Sequence, residues 1–138
     1  MNVLLINGSP HAHGCTDAAL QEIAKALNAD GIETTIYHIG AVPVGGCVGC
    51  GGCSKAGKCV FGGPVADVLP LVEKADGIVF GAPVHYATAA ASMLGFMHRL
   101  AISGGKYLRH KPAAVVTSAR RAGTTTALEA MEKVPQFF

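Results

Sequence analysis

Two stretches of this chain carry residue types spaced for chemistry. The first is a run of four cysteines, Cys47, Cys50, Cys53 and Cys59, in the pattern Cys-x2-Cys-x2-Cys-x5-Cys. No secretory leader is evident, so such a cluster reads as metal or redox chemistry before it reads as disulfides. Four thiolates in a short loop suit a [4Fe-4S] cluster, and Cys-x2-Cys-x2-Cys is the ferredoxin-type half of such a motif. The glycines between them let the backbone bend tightly and aim N–H groups at sulfur. Zinc is the rival, but its usual pattern is two separated Cys-x2-Cys pairs. Free or disulfide-bonded thiols are the third reading.

The second stretch is Asn7 to Thr16, Asn-Gly-Ser-Pro-His-Ala-His-Gly-Cys-Thr. It follows the apolar run Val3-Leu4-Leu5-Ile6 and precedes a helical pattern. A strand that ends in a Gly/Ser/Pro loop and opens onto a helix N-terminus makes an anion site. The first N–H groups of the helix lack partners, and the dipole favours negative charge there. Ser9 and Thr16 add hydroxyls, and His11 and His13 add potential charge. The Walker pattern is absent, since no lysine lies in the stretch, and so is the dinucleotide fingerprint Gly-x-Gly-x-x-Gly. Cys15 as a nucleophile is the sharp alternative, because a helix N-terminus lowers a thiol pKa. A phosphatase-type loop needs an arginine where Gln21 stands, so Cys15 reads as a small loop residue.

The elements that must position these stretches follow from periodicity. Asn2–Ile6 reads as a strand, and 17–27 as a helix with Leu20, Ile23, Ala24 and Leu27 on one stripe and Thr16 as its cap. Residues 33–39 form a second strand. Residues 40–64 show no period and hold the cysteines, and a loop that long is unusual unless functional. Residues 65–74 read as one short helix despite Pro70, 78–80 as a buried strand, and 83–88 as a loop. A helix follows over 89–100, in which Met93 and Met97 face the core, then a basic connector over 103–111. Residues 113–117 form a fourth strand, 118–124 a loop and 125–133 a last helix.

Such alternation predicts one α/β domain over residues 1–138, with a parallel sheet between helices, a three-layer sandwich. With flavodoxin-like strand order, 2-1-3-4, the loops after strands one, three and four lie side by side at the switch point, where a flavin mononucleotide (FMN) binds. The first loop would take the phosphate, and the other two would flank the ring.

Half of the 138 residues are hydrophobic and 14% are charged, which fits buried parallel strands and argues against disorder. The net charge of +2 gives no basis for nucleic acid or a membrane surface as partner. No apolar run approaches a bilayer span, and no basic leader with a cleavage site opens the chain, so a cytoplasmic location is expected.

Taken together, these residues resemble the NADPH-dependent FMN reductase family of flavodoxin-like proteins, in its iron–sulfur flavoprotein branch. The matching pieces are Gly8-Ser9-Pro10 with Gly14-Cys15-Thr16, the cysteine cluster, 75–84 (Ala-Asp-Gly-Ile-Val-Phe-Gly-Ala-Pro-Val), and Phe96-Met97-His98-Arg99. The family often has Asn at Cys15, Arg at His11 and Asp at His98, and usually an acidic pair where Gly62-Gly63 stands. The resemblance implies FMN and a [4Fe-4S] cluster on Cys47, Cys50, Cys53 and Cys59. Ser9, His11, Gly14, Cys15 and Thr16 are then expected at the phosphate. Pro83, Val84, His85 and Tyr86 line one side of the ring; Ser118, Ala119, Arg120 and Gly123 line the other. Tyr86 would stack or hydrogen-bond, and Arg120-Arg121 would steer a nicotinamide phosphate or offset the charge of reduced flavin.

The expected activity is that of an FMN-dependent NAD(P)H oxidoreductase passing electrons between flavin and cluster. Its donor would be NAD(P)H or ferredoxin, its acceptor a small molecule such as a quinone or an oxygen species, and its assembly a homodimer or homotetramer. The alternatives are a non-enzymatic flavodoxin-like carrier and a zinc-stabilised binding domain. Family members continue through a fifth strand. Without one, strand four would be an exposed edge, so an incomplete sequence is the first expectation and a covering subunit the second.

Overall fold

The computed structural model describes all residues, Met1–Phe138. Strand β1 (Asn2–Asn7) lies at the centre of the sheet, parallel to β2 (Glu33–His38) on one side and to β3 (Gly77–His85) on the other. A strand at Ala113–Ser118 runs parallel to β3 at the far edge, with Ile78 opposite Ala113 and Pro83 opposite Ser118. This is the order expected from the sequence. A two-residue strand, β4 (Thr88–Ala89), folds back antiparallel on the end of β3, so the edge strand Ala113–Ser118 is β5 in chain order.

Alternation along the strands sorts the core onto two faces. Leu4, Ile6, Ile78 and Phe80 point to one side and pack with Phe96, Met97 and Leu100 of helix α5 (Ala91–Gly104) and with Met131 of α6 (Thr124–Glu132). That side also takes Val65 of α3 (Pro64–Asp67) and Leu69 and Val72 of α4 (Leu69–Lys74). Leu5 and Val79 point to the other side, against Leu20 and Ala24 of α1 (Cys15–Ala29). Met93 and Met97 lie in the core as expected.

Four local expectations are corrected. Thr16 does not cap α1; Gly14 does, and Thr16 sits buried within the first turn. Residues 65–74 form two short helices instead of one. Pro70 has no N–H to continue a helical ladder, and it falls in the first turn of the second helix. The loop 40–64 contains one helical turn, α2 (Gly52–Ala56), which carries Cys53. The third strand runs well past Phe80 and closes in a hairpin where a loop was expected. There Tyr86 and Ala87 both have positive φ (49° and 61°), the left-handed pair that a two-residue hairpin needs. Neither residue is a glycine or asparagine, so the turn is strained.

Candidate functional site

The loop after β1 is fastened from three directions. Asn7 is fully buried; its side-chain carbonyl accepts the Ser9 N–H at 3.0 Å, the turn that asparagine favours. The Ser9 hydroxyl accepts the His11 N–H at 3.1 Å and keeps its own proton to donate. From β2, His38 Nε2 lies 2.8 Å from the Ser9 carbonyl. Gly8 N donates to the Gly81 carbonyl of β3 at 2.7 Å. Helix α1 then begins, and its first helical bond runs from Ala18 N to the Gly14 carbonyl. The N–H groups of Cys15, Thr16 and Asp17 precede that bond and are free for an anion. Ser9 and Thr16 are buried, while His11 and Cys15 are exposed, so the backbone and the hydroxyls form the more enclosed part of this cradle.

Two contacts bring the other loops to it. The Thr16 hydroxyl lies 2.9 Å from that of Ser118 at the end of β5. Gly123, the N-cap of α6, has φ 94°, and a Cβ there would sit 2.5 Å from the Cα of Ala87 in the β3–β4 hairpin. Only glycine permits that approach. Between hairpin and loop lies an open hollow of about 830 Å³, bounded by Val84, His85, Tyr86, Ala119, Arg120 and Gly123 among others. Tyr86 stands fully in solvent at the hairpin tip, and Pro83 is half-buried in β3. The first loop does not line this hollow; Gly8 and Pro10 border a neighbouring one of about 420 Å³ that shares His85.

The cysteines sit elsewhere, on the α5 side. All four line one cavity of about 240 Å³, with Arg99 of α5 on its wall. Cys47 and Cys50 are exposed; Cys53 and Cys59 are half-buried. Gly51, between Cys50 and Cys53, has φ 69° and starts α2. No three of the sulfurs or nearby His, Asp and Glu groups converge as a single-ion site. The loop is pinned at its ends. Gly95 of α5 lets the Val44 carbonyl approach so closely that a Cβ would collide with it. At the other end, the Tyr37 hydroxyl donates to the Pro64 carbonyl at 3.1 Å. Burial, with the Asp67 carboxylate adding to it, raises the Tyr37 pKa above 10.0.

His38, Tyr37, Asn7 and Arg99 were not among the residues expected at the sites. The partners of His38, Tyr37 and Arg99 lie 27 to 40 residues away in sequence, and no local pattern marks them.

A sequence model described as NADPH-dependent FMN reductase matches residues 1–137. The chain belongs to that family. An iron–sulfur flavoprotein of Methanocaldococcus jannaschii is 32% identical over 94% of this chain and 68% of its own length. One of Clostridioides difficile is 25% identical over 93% of this chain and 58% of its own. The chain thus spans roughly three-fifths to two-thirds of these relatives. Among solved structures, RosB with bound 8-demethyl-8-formylriboflavin-5'-phosphate superposes with a TM-score of 0.78 at 13% identity, over 99% of this chain and 59% of that one. That likeness is one of fold, the flavodoxin-like α/β sandwich. No helix is long and apolar enough to cross a membrane.

Proposed function

We propose that this chain is the FMN-binding part of an NAD(P)H oxidoreductase that also holds a [4Fe-4S] cluster. The observation that carries the reading is the Thr16–Ser118 contact. It joins an anion-ready helix start to the loop that walls a broad open hollow. The residues present fit the flavin. Ser9, Gly14, Cys15 and Thr16 would take the phosphate through N–H groups and hydroxyls, with exposed His11 at the margin. Pro83, Val84, His85 and Tyr86 would face the ring from one side. Ser118, Ala119, Arg120 and Gly123 would face it from the other. The hollow's volume, about 830 Å³, would admit a nicotinamide beside the flavin, and Arg120 and Arg121 on its wall would supply positive charge for a nicotinamide phosphate.

The cysteine cavity fits a polynuclear group better than one ion. A zinc ion bonded at about 2.3 Å needs its sulfurs within about 4 Å of one another. Here no three ligands gather as a single-ion site, yet all four cysteines line one cavity. Cys47, Cys50, Cys53 and Cys59 would hold the cluster. When bound, FMN exchanges electrons in pairs or singly, and the cluster passes them one at a time. What the chain itself does is bind, orient and shield.

A protein donor such as ferredoxin is the second reading. Cys53 also lines an adjoining hollow that carries Lys106 and Arg109, and an acidic carrier would suit it. Val48, Val60, Phe61 and Ile102 are exposed around the cysteines, which supports burial of this face in a homodimer or homotetramer. Free thiols suit a cytoplasmic setting. Anaerobic steady-state kinetics with FMN-loaded protein decides between donors. Turnover of a quinone with NADPH supports the enzyme. Reduction only by reduced ferredoxin supports the carrier.

A further inference from the structure

We propose that Arg99 is a positioning residue that tunes the cysteine site through Cys59. Its guanidinium fork donates to the Cys59 sulfur and thereby raises the reduction potential of the cluster the thiolates hold. The inference rests on the [4Fe-4S] reading above.

The geometry is specific. Arg99 Nε lies 3.3 Å and one terminal nitrogen 3.2 Å from Cys59 Sγ. The same terminal nitrogen donates to the Gly62 carbonyl at 2.9 Å. The Phe61 ring lies 6.0 Å from the guanidinium carbon, within cation–π reach. Neighbouring Phe96, Met97 and Leu100 are buried, which fixes the helix that presents the side chain. Arg99 forms no ion pair with a carboxylate, and the sequence has no Asp or Glu from 34 to 66 or from 78 to 128. Its charge is therefore directed at sulfur. The other thiols differ. The Cys47 sulfur accepts one backbone N–H, from Gly49 at 3.4 Å, and Cys47 and Cys50 are exposed.

The consequence follows from charge. Reduction adds one electron to the cluster, with no bond made or broken, and part of the added charge falls on the sulfur ligands. Donors and positive charge at a ligand sulfur favour the reduced form and raise the potential. Bidentate donation from arginine is stronger and better oriented than donation from lysine.

The test uses the full chain prepared anaerobically as wild type, Arg99→Met, Arg99→Lys and Lys58→Met. Lys58 carries the same charge one residue from Cys59 and donates no hydrogen bond to it. Iron, sulfide and the cluster midpoint potential are measured, with the rate of iron release to a chelator. Arg99→Met is expected to keep iron, shift the potential negative and release iron faster. Arg99→Lys is expected to shift less in the same direction, and Lys58→Met least of all. An unmoved potential in Arg99→Met, or an equal shift in Lys58→Met, overturns the inference and leaves the cluster reading intact. If Arg99→Met does not load iron, an unmoved potential in Arg99→Lys overturns it. Wild type that lacks iron and sulfide removes the cluster reading and the inference with it.

Discussion

The proposed flavin rim and the cysteine loop are built on opposite plans. At the rim, Ser9 is bonded to β2, Gly8 to β3 and Thr16 to the end of β5, while buried Asn7 holds the turn from within, and each bond belongs to the fold itself. In the cysteine loop, residues 45–51 are all exposed, and the ties fall at the ends: Val44 against Gly95, Tyr37 to Pro64, Arg99 to Cys59 and Gly62. One site is shaped before any ligand arrives. The other has its flanks fixed and leaves its middle to whatever the thiolates bind. The two sites should therefore respond separately to mutation.

The strongest way to break that contrast is Cys50→Ser. We expect it to abolish iron binding while FMN affinity stays within about twofold of wild type, a change under about 0.5 kcal/mol. Iron analysis and flavin fluorescence titration measure both. Joint loss of flavin would show that the rim depends on the cysteine loop.

Gly123→Ala should be next in size. The new Cβ meets Ala87, and the φ of 94° strains any side chain. A cost of about 1–3 kcal/mol is expected, read as FMN binding weaker by roughly fivefold to a hundredfold, with iron unchanged. Thr16→Val keeps the shape and removes the bond to Ser118. About 1 kcal/mol, or roughly fivefold in FMN affinity, should be lost. Wild-type affinity in both variants would mean that the flavin lies elsewhere.

The smallest effect concerns the loop's anchor. Burial raises the Tyr37 pKa, so the folded state keeps the phenol proton longer than the unfolded chain does. Its contribution is complete below the ordinary tyrosine value of 10.0 and is lost as pH rises from there through the raised pKa. Denaturation curves should show stability falling in that window, and Tyr37→Phe should flatten the fall. An unchanged slope in the variant would assign the fall to other groups.

The same division explains what could be read from residues alone. The run from Val3 to Leu27 announces strand, loop and helix, because each step there is a local pattern of burial, turn and stripe. The sheet order follows from the chirality and shortness of the connections. The hairpin at Tyr86 was not legible, since its turn lacks the glycine or asparagine that normally marks positive φ. Thr16 read as a cap because Thr often is one, yet packing at Gly81 and the bond to Ser118 draw it into the first turn. The Arg99–Cys59 and His38–Ser9 pairs are tertiary, and nothing local points one member to the other.

On the reading proposed here, one chain holds a flavin on its rim and an iron–sulfur group in its cysteine loop. Anaerobic purification followed by absorbance spectroscopy with flavin, iron and sulfide analysis tests it most directly. The expected result is a flavin spectrum with a broad visible shoulder, FMN equal to chain, and iron and sulfide each near four per chain, about the content of one [4Fe-4S] cluster. A colourless protein with stoichiometric zinc would contradict it.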